Sequence, residues 1–379
     1  MSRQSSIFLL AIVAVFSSLL FRWWPHDESH FTPPPRDTTS TTEPFFRESF
    51  LSFSETAIVH SPSIALRNDR KLTAVWYAGS REGAQDVEIF AVTVNPDTHS
   101  LSPPRPIITP AITQQNTWRY IRKLGNPVIH ALPDGRLMLV YVSVSFGGWA
   151  ASSLNISFSD DHGATWSKAK RLVTSPFLNI STLGRSAPLA FTNGDVGLPV
   201  YHELFGKFSE LLILDSNGNI KNKKRISWGR DNIQPAIASL TTSDAITLMR
   251  DSGETEKRVF MSSSEDAGKH WSKPIPTSMP NPNASIAVLA LNDHQLITVF
   301  NNHEDERYDL SLAISDDQGK SWRTAHVIEH KVPRENEIAK FSYPTLIHGD
   351  QDDFHLVYTW HKKRIKYIHF NRAWLEQKI

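Results

Sequence analysis

The sequence predicts an all-β fold, a β-propeller of six blades, because one turn motif recurs at a regular interval. Three segments share the pattern Ser-x-Asp-x-Gly-x-x-Trp, and each follows a short run typical of a β-strand. They span residues 159–166, 264–271 and 315–322, and weaker relatives of the motif lie at 95–98 and 215–218. The aspartates occupy positions 97, 161, 215, 266 and 317, so they are 64, 54, 51 and 51 residues apart. A period of about 50 residues with four short strands per unit is typical of a propeller blade.

The repeated motif is interpreted as a hairpin turn. An aspartate such as Asp161 can accept backbone N–H bonds inside the turn, the glycine supplies a positive φ, and the tryptophan packs beneath. These residues therefore belong to the architecture of the turn, and we do not assign them to a metal or sugar site. They predict the fold and leave the chemistry open.

Five marked blades and one unmarked segment give the count of six. The unmarked segment runs from Phe341 to Phe370 and contains further strand-like runs. We expect the last blade to be closed by a strand from the start of the domain, around Glu55 to His60. No long amphipathic helix interrupts the strand-like runs, so residues 45–379 are predicted to form one domain.

The N-terminus carries an apolar run that points to a membrane. Residues 7–20 contain no charge, Phe21 extends the run to about 15 residues, and Arg3 and Arg22 flank it. The run is shorter than the roughly 20 residues of a comfortable span, so residues 1–24 are a signal peptide or a short anchor, and we favour the anchor. Residues 25–44 are rich in Pro and Thr and predict a linker. The domain is therefore expected outside the cytoplasm, tethered to the membrane, or secreted if the N-terminus is cleaved.

Composition excludes several classes of function. Forty Lys and Arg balance 39 Asp and Glu, a net charge of +1, so no nucleic-acid partner is expected. The chain has no Cys, which excludes disulfides, thiolate metal sites and cysteine nucleophiles. The sequence shows no phosphate-binding loop, dinucleotide fingerprint or metal-ligand spacing, so we expect no cofactor and no metal.

Charged and aromatic residues at strand ends are the candidates for a site, since propeller ligands meet the loops at one end of the central channel. Arg81 and Asp86 follow the strand-like run 74–77, and Arg250 ends the run 246–249. Arg307 directly precedes another strand, and Tyr343 opens the last blade. Each has a structural alternative: a loop ion pair for Arg81 and Asp86, strand-end caps for the other arginines, and core packing for the tyrosine.

The repeat and these contexts resemble the sialidase (neuraminidase) family, whose repeats are called Asp boxes. The resemblance covers about residues 54–370 and implies a six-bladed β-propeller of sialidase type, an arginine triad for the sialate carboxylate, a tyrosine nucleophile paired with a glutamate, and an aspartate acid/base. Arg81 and Asp86 reproduce the Arg-x4-Asp pattern of the family. Arg250 and Arg307 resemble the second and third triad arginines, and Tyr343 resembles the nucleophile.

Two positions depart from the family pattern. His60-Ser61-Pro62 stands where the family has Arg-Ile-Pro, and Gln234 falls at the glutamate that polarises the tyrosine. An arginine holds a carboxylate with two charge-assisted bonds, whereas a neutral histidine offers one donor. Glutamine cannot take a proton from the tyrosine, so the phenol becomes a poorer nucleophile.

The resemblance implies a retaining mechanism on a terminal acidic sugar. Tyr343 would attack the anomeric carbon, while Asp86 would protonate the leaving group and then activate water. Arg250 and Arg307 would clamp the carboxylate with His60 as a weaker third contact, and Arg81 would hold a ring substituent or orient Asp86. If His60 binds the carboxylate as a cation, affinity should fall as the pH rises past about 6.5.

Two other functions remain open. Tyr201 and His202, with Arg185 in the same blade, are suited to the acid and base of a propeller lyase or hydrolase acting on a uronate polysaccharide. A carbohydrate-binding propeller without catalysis is the third possibility, and Gln234 is the feature that favours it. A carbohydrate is the expected partner in all three cases, and the sequence leaves the oligomeric state open.

Overall fold

Six β-sheets arranged around a central axis make up the computed structural model. It describes residues 29–35, 43–52, 56–175, 179–229, 231–253, 256–335 and 339–378. The predicted anchor or signal peptide over residues 1–24 lies outside the described residues. In the described ranges, no helix is both long enough and apolar enough to span a bilayer.

The first three blades follow one another along the chain. Blade 1 comprises β2 (Ile58–Leu66), β3 (Leu72–Gly79), β4 (Glu88–Val94) and β5 (Arg105–Ile108). Blade 2 comprises β6 (Lys123–Ala131), β7 (Leu137–Val144), β8 (Ser152–Ser159) and β9 (Lys170–Arg171). Blade 3 comprises β10 (Leu183–Gly184), β11 (Leu189–Ala190), β12 (Val196–His202), β13 (Phe208–Leu214) and β14 (Ile220–Arg225).

The remaining three blades complete the ring. Blade 4 comprises β15 (Asn232–Ser239), β16 (Ala245–Asp251), β17 (Arg258–Ser264) and β18 (Ile275–Pro280). Blade 5 comprises β19 (Ala287–Ala290), β20 (Leu296–Phe300), β21 (Asp309–Ser315) and β22 (Arg323–His330). Blade 6 comprises β23 (Phe341–His348), β24 (Asp353–Trp360), β25 (Arg364–Asn371) and the N-terminal strand β1 (Phe46–Phe50). The described residues also form two short α-helices, α1 (Pro110–Thr117) and α2 (Arg372–Glu376).

The prediction of six blades is confirmed, with four strands in five of the blades and five strands in blade 3. The predicted closing strand is wrong. Blade 6 is closed by β1, which pairs with β25 in antiparallel register. The predicted segment instead leads into β2, the innermost strand of blade 1, which contains His60. Aromatic contacts favour β1 at the closing edge, since the Phe46 ring lies 4.5 Å from Trp374 and 6.1 Å from Phe370. Both segments have strand-like sequences, so only these long-range contacts select between them.

The repeated motif forms the predicted turn after the third strand of blades 2, 4 and 5. In blade 2, Asp161 Oδ1 accepts hydrogen bonds from Thr165 N and Ser159 Oγ, both at 2.8 Å. The turn glycine Gly163 has φ of 90°. In blade 5, the indole of Trp322 donates to Gly319 O at 2.9 Å. The longer first interval of the repeat is explained by α1, which lies between blades 1 and 2.

An N-terminal strap, residues 29–35, packs on blades 3 and 4 although it lies within the predicted linker. Phe31 is fully buried, pairs with Phe191 in a β-bridge, and donates its N–H to Thr242 O at 2.9 Å. Pro33 to Pro35 line a cavity of about 290 Å³ with the C-terminal parts of the innermost strands. The strap therefore covers one end of the central channel, and the candidate site lies at the other.

Candidate functional site

Four innermost strands share a bulge at the residue that precedes a proline. The pairing of each strand shifts register there, and the pre-proline residue has a positive φ in every case. These residues are Ser61 (φ 55°), Asn126 (41°), Gln234 (53°) and Tyr343 (56°). Non-glycine residues rarely adopt positive φ, and such strain concentrates at functional sites. Because the innermost strands of a propeller run in the same direction, the four bulges lie at one end of the channel.

Tyr343 lies in a pocket of basic groups. The Arg185 guanidinium lies over the phenol ring, 4.8 Å from its centroid. The His60 ring meets the same phenol edge-on, with 4.6 Å between the ring centroids. The sequence analysis assigned Arg185 to an alternative site, but the structure brings it to the predicted nucleophile.

Arg185 is the polar centre of the channel. Its side chain leaves blade 3 and donates to Pro62 O at 3.3 Å, to Thr345 Oγ1 at 3.1 Å and to Pro344 O at 3.2 Å. Its Nε is buried without a hydrogen-bond partner among the described residues. Burial lowers the pKa of Arg185 to about 10, so the group remains a cation at neutral pH. One buried cation thus ties the innermost strands of blades 1, 3 and 6 together.

Gln234 links a tyrosine to an arginine. Its Nε2 donates to the Tyr201 hydroxyl at 3.3 Å, and its Oε1 accepts from Arg250 Nη1 at 3.1 Å. Burial, followed by the nearby Glu203 and Tyr343, raises the pKa of Tyr201. Tyr201 is therefore a neutral hydroxyl group that bonds to the glutamine and interacts electrostatically with the predicted nucleophile.

The two predicted triad arginines meet at Asn283. Arg250 Nε donates to Asn283 Oδ1 at 2.5 Å, and Arg307 Nη2 donates to the carbonyl oxygen of the same residue. Burial and the adjacent charge of Arg250 lower the pKa of Arg307, while Tyr343 acts in the opposite direction. Two cations from neighbouring blades are thus held together, and one of them, Arg307, interacts electrostatically with Tyr343. The sequence analysis did not assign Asn283 to the site. Its φ of 54° is positive, and the only sequence feature that points to this conformation is that the residue is an asparagine.

His60 is buried and hydrogen-bonded inside the protein. Its Nδ1 lies 3.0 Å from Thr359 Oγ1. Burial, and then the charges of Lys362, Arg185 and Arg307, lower the pKa of His60 well below its usual value. The side chain is therefore neutral near pH 7, which removes the basis for the expectation that it binds a carboxylate as a cation.

Asp86 and Arg81 lie on the exposed loop between β3 and β4. The Asp86 carboxylate accepts from Ser80 N at 3.0 Å and from Ser80 Oγ at 2.9 Å, which holds it against the end of β3. The carboxylate of the same loop that interacts with the channel residues is Glu82. It pairs with Lys362 at 2.8 Å and acts on the pKa of Arg307. Arg81 is exposed beside it, and the roles of Arg81 and Asp86 stay predictions.

Glu203 is a second carboxylate that the sequence analysis did not assign. Burial raises its pKa, while the charges of Arg250 and Lys207 act in the opposite direction. Its backbone N–H donates to Ser181 Oγ at 2.9 Å, which fixes the start of the loop after β12. The only available signal was its position directly after Tyr201-His202.

Tyr201 and His202 do not converge on one point. Successive residues of a strand face opposite sides of the sheet, and here Tyr201 bonds to Gln234 in the channel. The ring of His202 instead stacks on Phe208 with 4.8 Å between the centroids, and its Nε2 accepts from Phe205 N at 3.2 Å. The acid–base pair that the lyase interpretation needs is therefore not assembled.

Solved structures with the same fold include several sialidases. The Hadza microbial sialidase Hz136 superposes with a TM-score of 0.70 at 15% identity, covering 86% of this chain and 68% of that one. A protein of unknown function from Dyadobacter fermentans gives 0.70 at 13% identity, with coverages of 86% and 99%. The intramolecular trans-sialidase of Ruminococcus gnavus gives 0.63 at 11% identity, with coverages of 86% and 97%. At these identities the similarity establishes the fold alone.

A sequence family is also matched over most of the chain. No curated protein sequence matches significantly. Residues 70–356 match the BNR repeat-like domain, and this range includes every turn motif and most of the six blades. The chain therefore belongs to the BNR repeat-like domain family and has the six-bladed propeller of the sialidases.

Proposed function

We propose that this protein is an exo-glycosidase of sialidase type that hydrolyses a terminal acidic sugar from a glycan. The proposal rests mainly on the pair Arg250 and Arg307, which share Asn283 beside Tyr343. Paired guanidinium groups favour a bidentate carboxylate, and a neutral phenol as nucleophile avoids repulsion of that anion. The presence of sialidases among the structural neighbours agrees with this choice of substrate class.

The proposed reaction has two displacements. In the first, the Tyr343 oxygen bonds to the anomeric carbon as the glycosidic C–O bond breaks, and Asp86 gives its proton to the leaving oxygen. In the second, Asp86 takes a proton from water, the water oxygen bonds to the anomeric carbon, and the tyrosyl C–O bond breaks. Asp86 must leave Ser80 for this role, which its position on an exposed loop permits.

The phenol proton of Tyr343 needs a different acceptor from the one usual in the family. Gln234 cannot accept it, whereas Glu203 is a half-buried carboxylate that interacts electrostatically with Tyr201 and Arg250. We propose that Glu203 supplies the base, with Tyr201 between it and Tyr343.

The decisive experiment measures release of a fluorophore from a sialoside by the full chain. Tyr343→Phe should abolish turnover, and Asp86→Asn should abolish it for substrates with poor leaving groups. Tyr308→Phe is the matched control, since the Tyr308 ring contacts His303 and His330 at the blade 5 rim. It should retain full activity.

Two outcomes would replace the proposal. Saturable binding of sialosides without turnover would identify a carbohydrate-binding propeller without catalysis. Formation of an unsaturated product from uronate polysaccharides, lost in His202→Ala, would identify a lyase.

We also propose that the propeller works outside the cytoplasm, tethered by residues 1–24. The support is the uncharged run of residues 7–20 and the Pro- and Thr-rich segment that follows it. Cell fractionation of the full chain, compared with a chain in which Leu9 and Leu10 are replaced by Asp, tests this. Equal recovery of both in the cytoplasmic fraction would exclude it.

A further inference from the structure

Two histidines and an aspartate meet in blade 6, at the end opposite to the candidate site. Asp353 and His355 are two residues apart on β24, so their side chains share one face of the sheet. His369 is the direct antiparallel partner of His355 on β25, and its side chain lies on the same face. All three side chains are buried, and one ligand atom from each lies within 4.8 Å of the others.

We propose that Asp353, His355 and His369 form a structural site for a divalent transition metal of the zinc class. Two imidazoles and one carboxylate are ligands that Zn²⁺ and similar ions prefer over Mg²⁺ or Ca²⁺. In a tetrahedral zinc site the ligand atoms are about 3.3 Å apart, given metal–ligand bonds of about 2.0–2.2 Å. Here Asp353 Oδ2 lies 2.5 Å from His369 Nε2 and 3.5 Å from His355 Nε2. These two separations differ from the tetrahedral value by about 0.8 Å and about 0.2 Å.

Neighbouring groups already orient two of the ligands. Gln351 N donates to Asp353 Oδ1 at 3.0 Å, which leaves Oδ2 directed at the imidazoles. The Tyr367 hydroxyl lies 2.9 Å from His355 Nδ1, so the other ring nitrogen faces the carboxylate. Hydrogen bonds of this kind, on the far side of the ligands, are typical of metal sites. The backbone of Gly349 completes the support, since a methyl group built there would lie 1.9 Å from Asp353 Oδ1.

Hydrogen bonding alone accounts poorly for this cluster. His369 donates to Asp353, but its Nδ1 is buried without a partner among the described residues. The 3.5 Å between His355 Nε2 and Asp353 Oδ2 exceeds a normal hydrogen bond. A cation shared by Asp353 Oδ2 and the two Nε2 atoms would replace this long contact between His355 and Asp353 with metal–ligand bonds, while the Nδ1 of His369 is not one of the ligands.

The location of the cluster indicates what the metal does. The cluster lies across the pair β24 and β25. The closing strand β1 pairs with β25, and Arg47 of β1 lies opposite His369. The Phe45 ring, just before β1, contacts His369 edge-on at 4.8 Å. An ion at this point would stabilise the blade where the two ends of the chain close the ring. The chain has no Cys, so no disulfide can fasten this closure.

The experiment uses the full chain, stripped with a chelator and titrated with Co²⁺ and then Zn²⁺. We expect one equivalent to bind with a dissociation constant below about 1 µM, with the absorption bands of four-coordinate Co²⁺ that Zn²⁺ displaces. Zn²⁺ at a hundredfold excess over that constant should raise the unfolding temperature by roughly 5 °C. X-ray absorption at the zinc edge of the wild-type chain should report two imidazole ligands.

Variants identify the ligands. Asp353→Asn and His369→Gln should each weaken binding by at least about 100-fold. His294→Gln is the matched control, because His294 forms an isolated and exposed pair with Asp293 at 2.8 Å; it should bind as the wild type does. Absence of one-to-one binding, fewer than two imidazoles at the zinc edge, or equal binding by wild type and Asp353→Asn would overturn the proposal. The X-ray absorption measurement uses the wild-type chain, so it tests the proposal even if one of the variants fails to fold.

Discussion

The guanidinium of Arg185 lies 4.8 Å from the centre of the Tyr343 ring, although the two residues belong to blades 3 and 6. The same guanidinium donates to the carbonyl oxygens of Pro62 and Pro344. One side chain therefore holds the channel together and sets the electrostatic environment of the predicted nucleophile.

Arg185→Lys should lower both stability and turnover. Lysine keeps the charge but cannot reach three acceptors in a fixed plane, so buried acceptors lose their partner. We expect the free energy of unfolding to fall by about 2–3 kcal/mol, measured by urea denaturation. The kcat for a sialoside should fall as well, since the guanidinium no longer lies over the phenol ring. Arg323→Lys, in an exposed ion pair at 3.5 Å, is the control and should change stability by less than about 0.5 kcal/mol.

Gln234→Glu should increase activity. A carboxylate at this position keeps the bond to Arg250 and can accept a proton, which the amide cannot. We expect kcat to rise about tenfold with little change in KM, because the substitution affects proton transfer more than carboxylate binding. Glu203→Gln should have the opposite effect in the wild-type background and a smaller effect in the Gln234→Glu background. Equal losses in both backgrounds would argue against Glu203 as the base.

The protonation of His60 should destabilise the fold as the pH falls. His60 should not make ligand affinity depend on pH near pH 7. Its pKa in the folded state lies well below the unfolded value of about 6.5. The stability it contributes is therefore fully present above pH 6.5 and is lost as the pH falls toward the folded pKa. Between pH 6.5 and 5.5 the loss should be about 1 kcal/mol, measured as the difference between the wild type and His60→Gln in urea denaturation.

The same residue gives a test on ligand binding. Affinity for a sialoside should stay constant between pH 6 and 8 in the wild type, because His60 remains neutral. His60→Arg should tighten binding, since it adds a permanent cation to the two existing arginines. A wild-type affinity that follows a histidine titration near pH 6.5 would contradict the buried, neutral state of His60.

Phe31→Ala should destabilise the propeller although Phe31 lies in the predicted linker. The side chain is fully buried and its ring lies 5.2 Å from that of Phe191. Removing a buried phenylalanine costs about 3–5 kcal/mol, and we expect the lower value because the strap can detach. Phe205→Ala is the control, since that ring is 78% exposed and should contribute little to thermal stability. Identical unfolding temperatures for the two variants would show that the strap does not bind the propeller.

Whether a sequence prediction is correct depends on how far apart along the chain the interacting residues are. The turns around Asp161 and Asp317 depend on bonds between residues within four positions, and the sequence predicts them correctly. The closing strand depends on contacts between the two ends of the chain, and the prediction selected the neighbouring segment. Asp353, His355 and His369 show the same limit, because their spacing matches no metal motif and only the register of β24 and β25 brings them together.

By itself the sequence determined the all-β class and the six blades, because both depend on local turn chemistry and on a recurring period. The roles of the arginines and of Tyr343 stay predictions. The tertiary structure alone decided that β1 closes the ring, that Arg185 lies over Tyr343 and that His60 is neutral. These features arise from packing between blades that are far apart along the chain. Burial and the combined field of several cations set the charge state of His60, and neither can be seen from its neighbours in sequence.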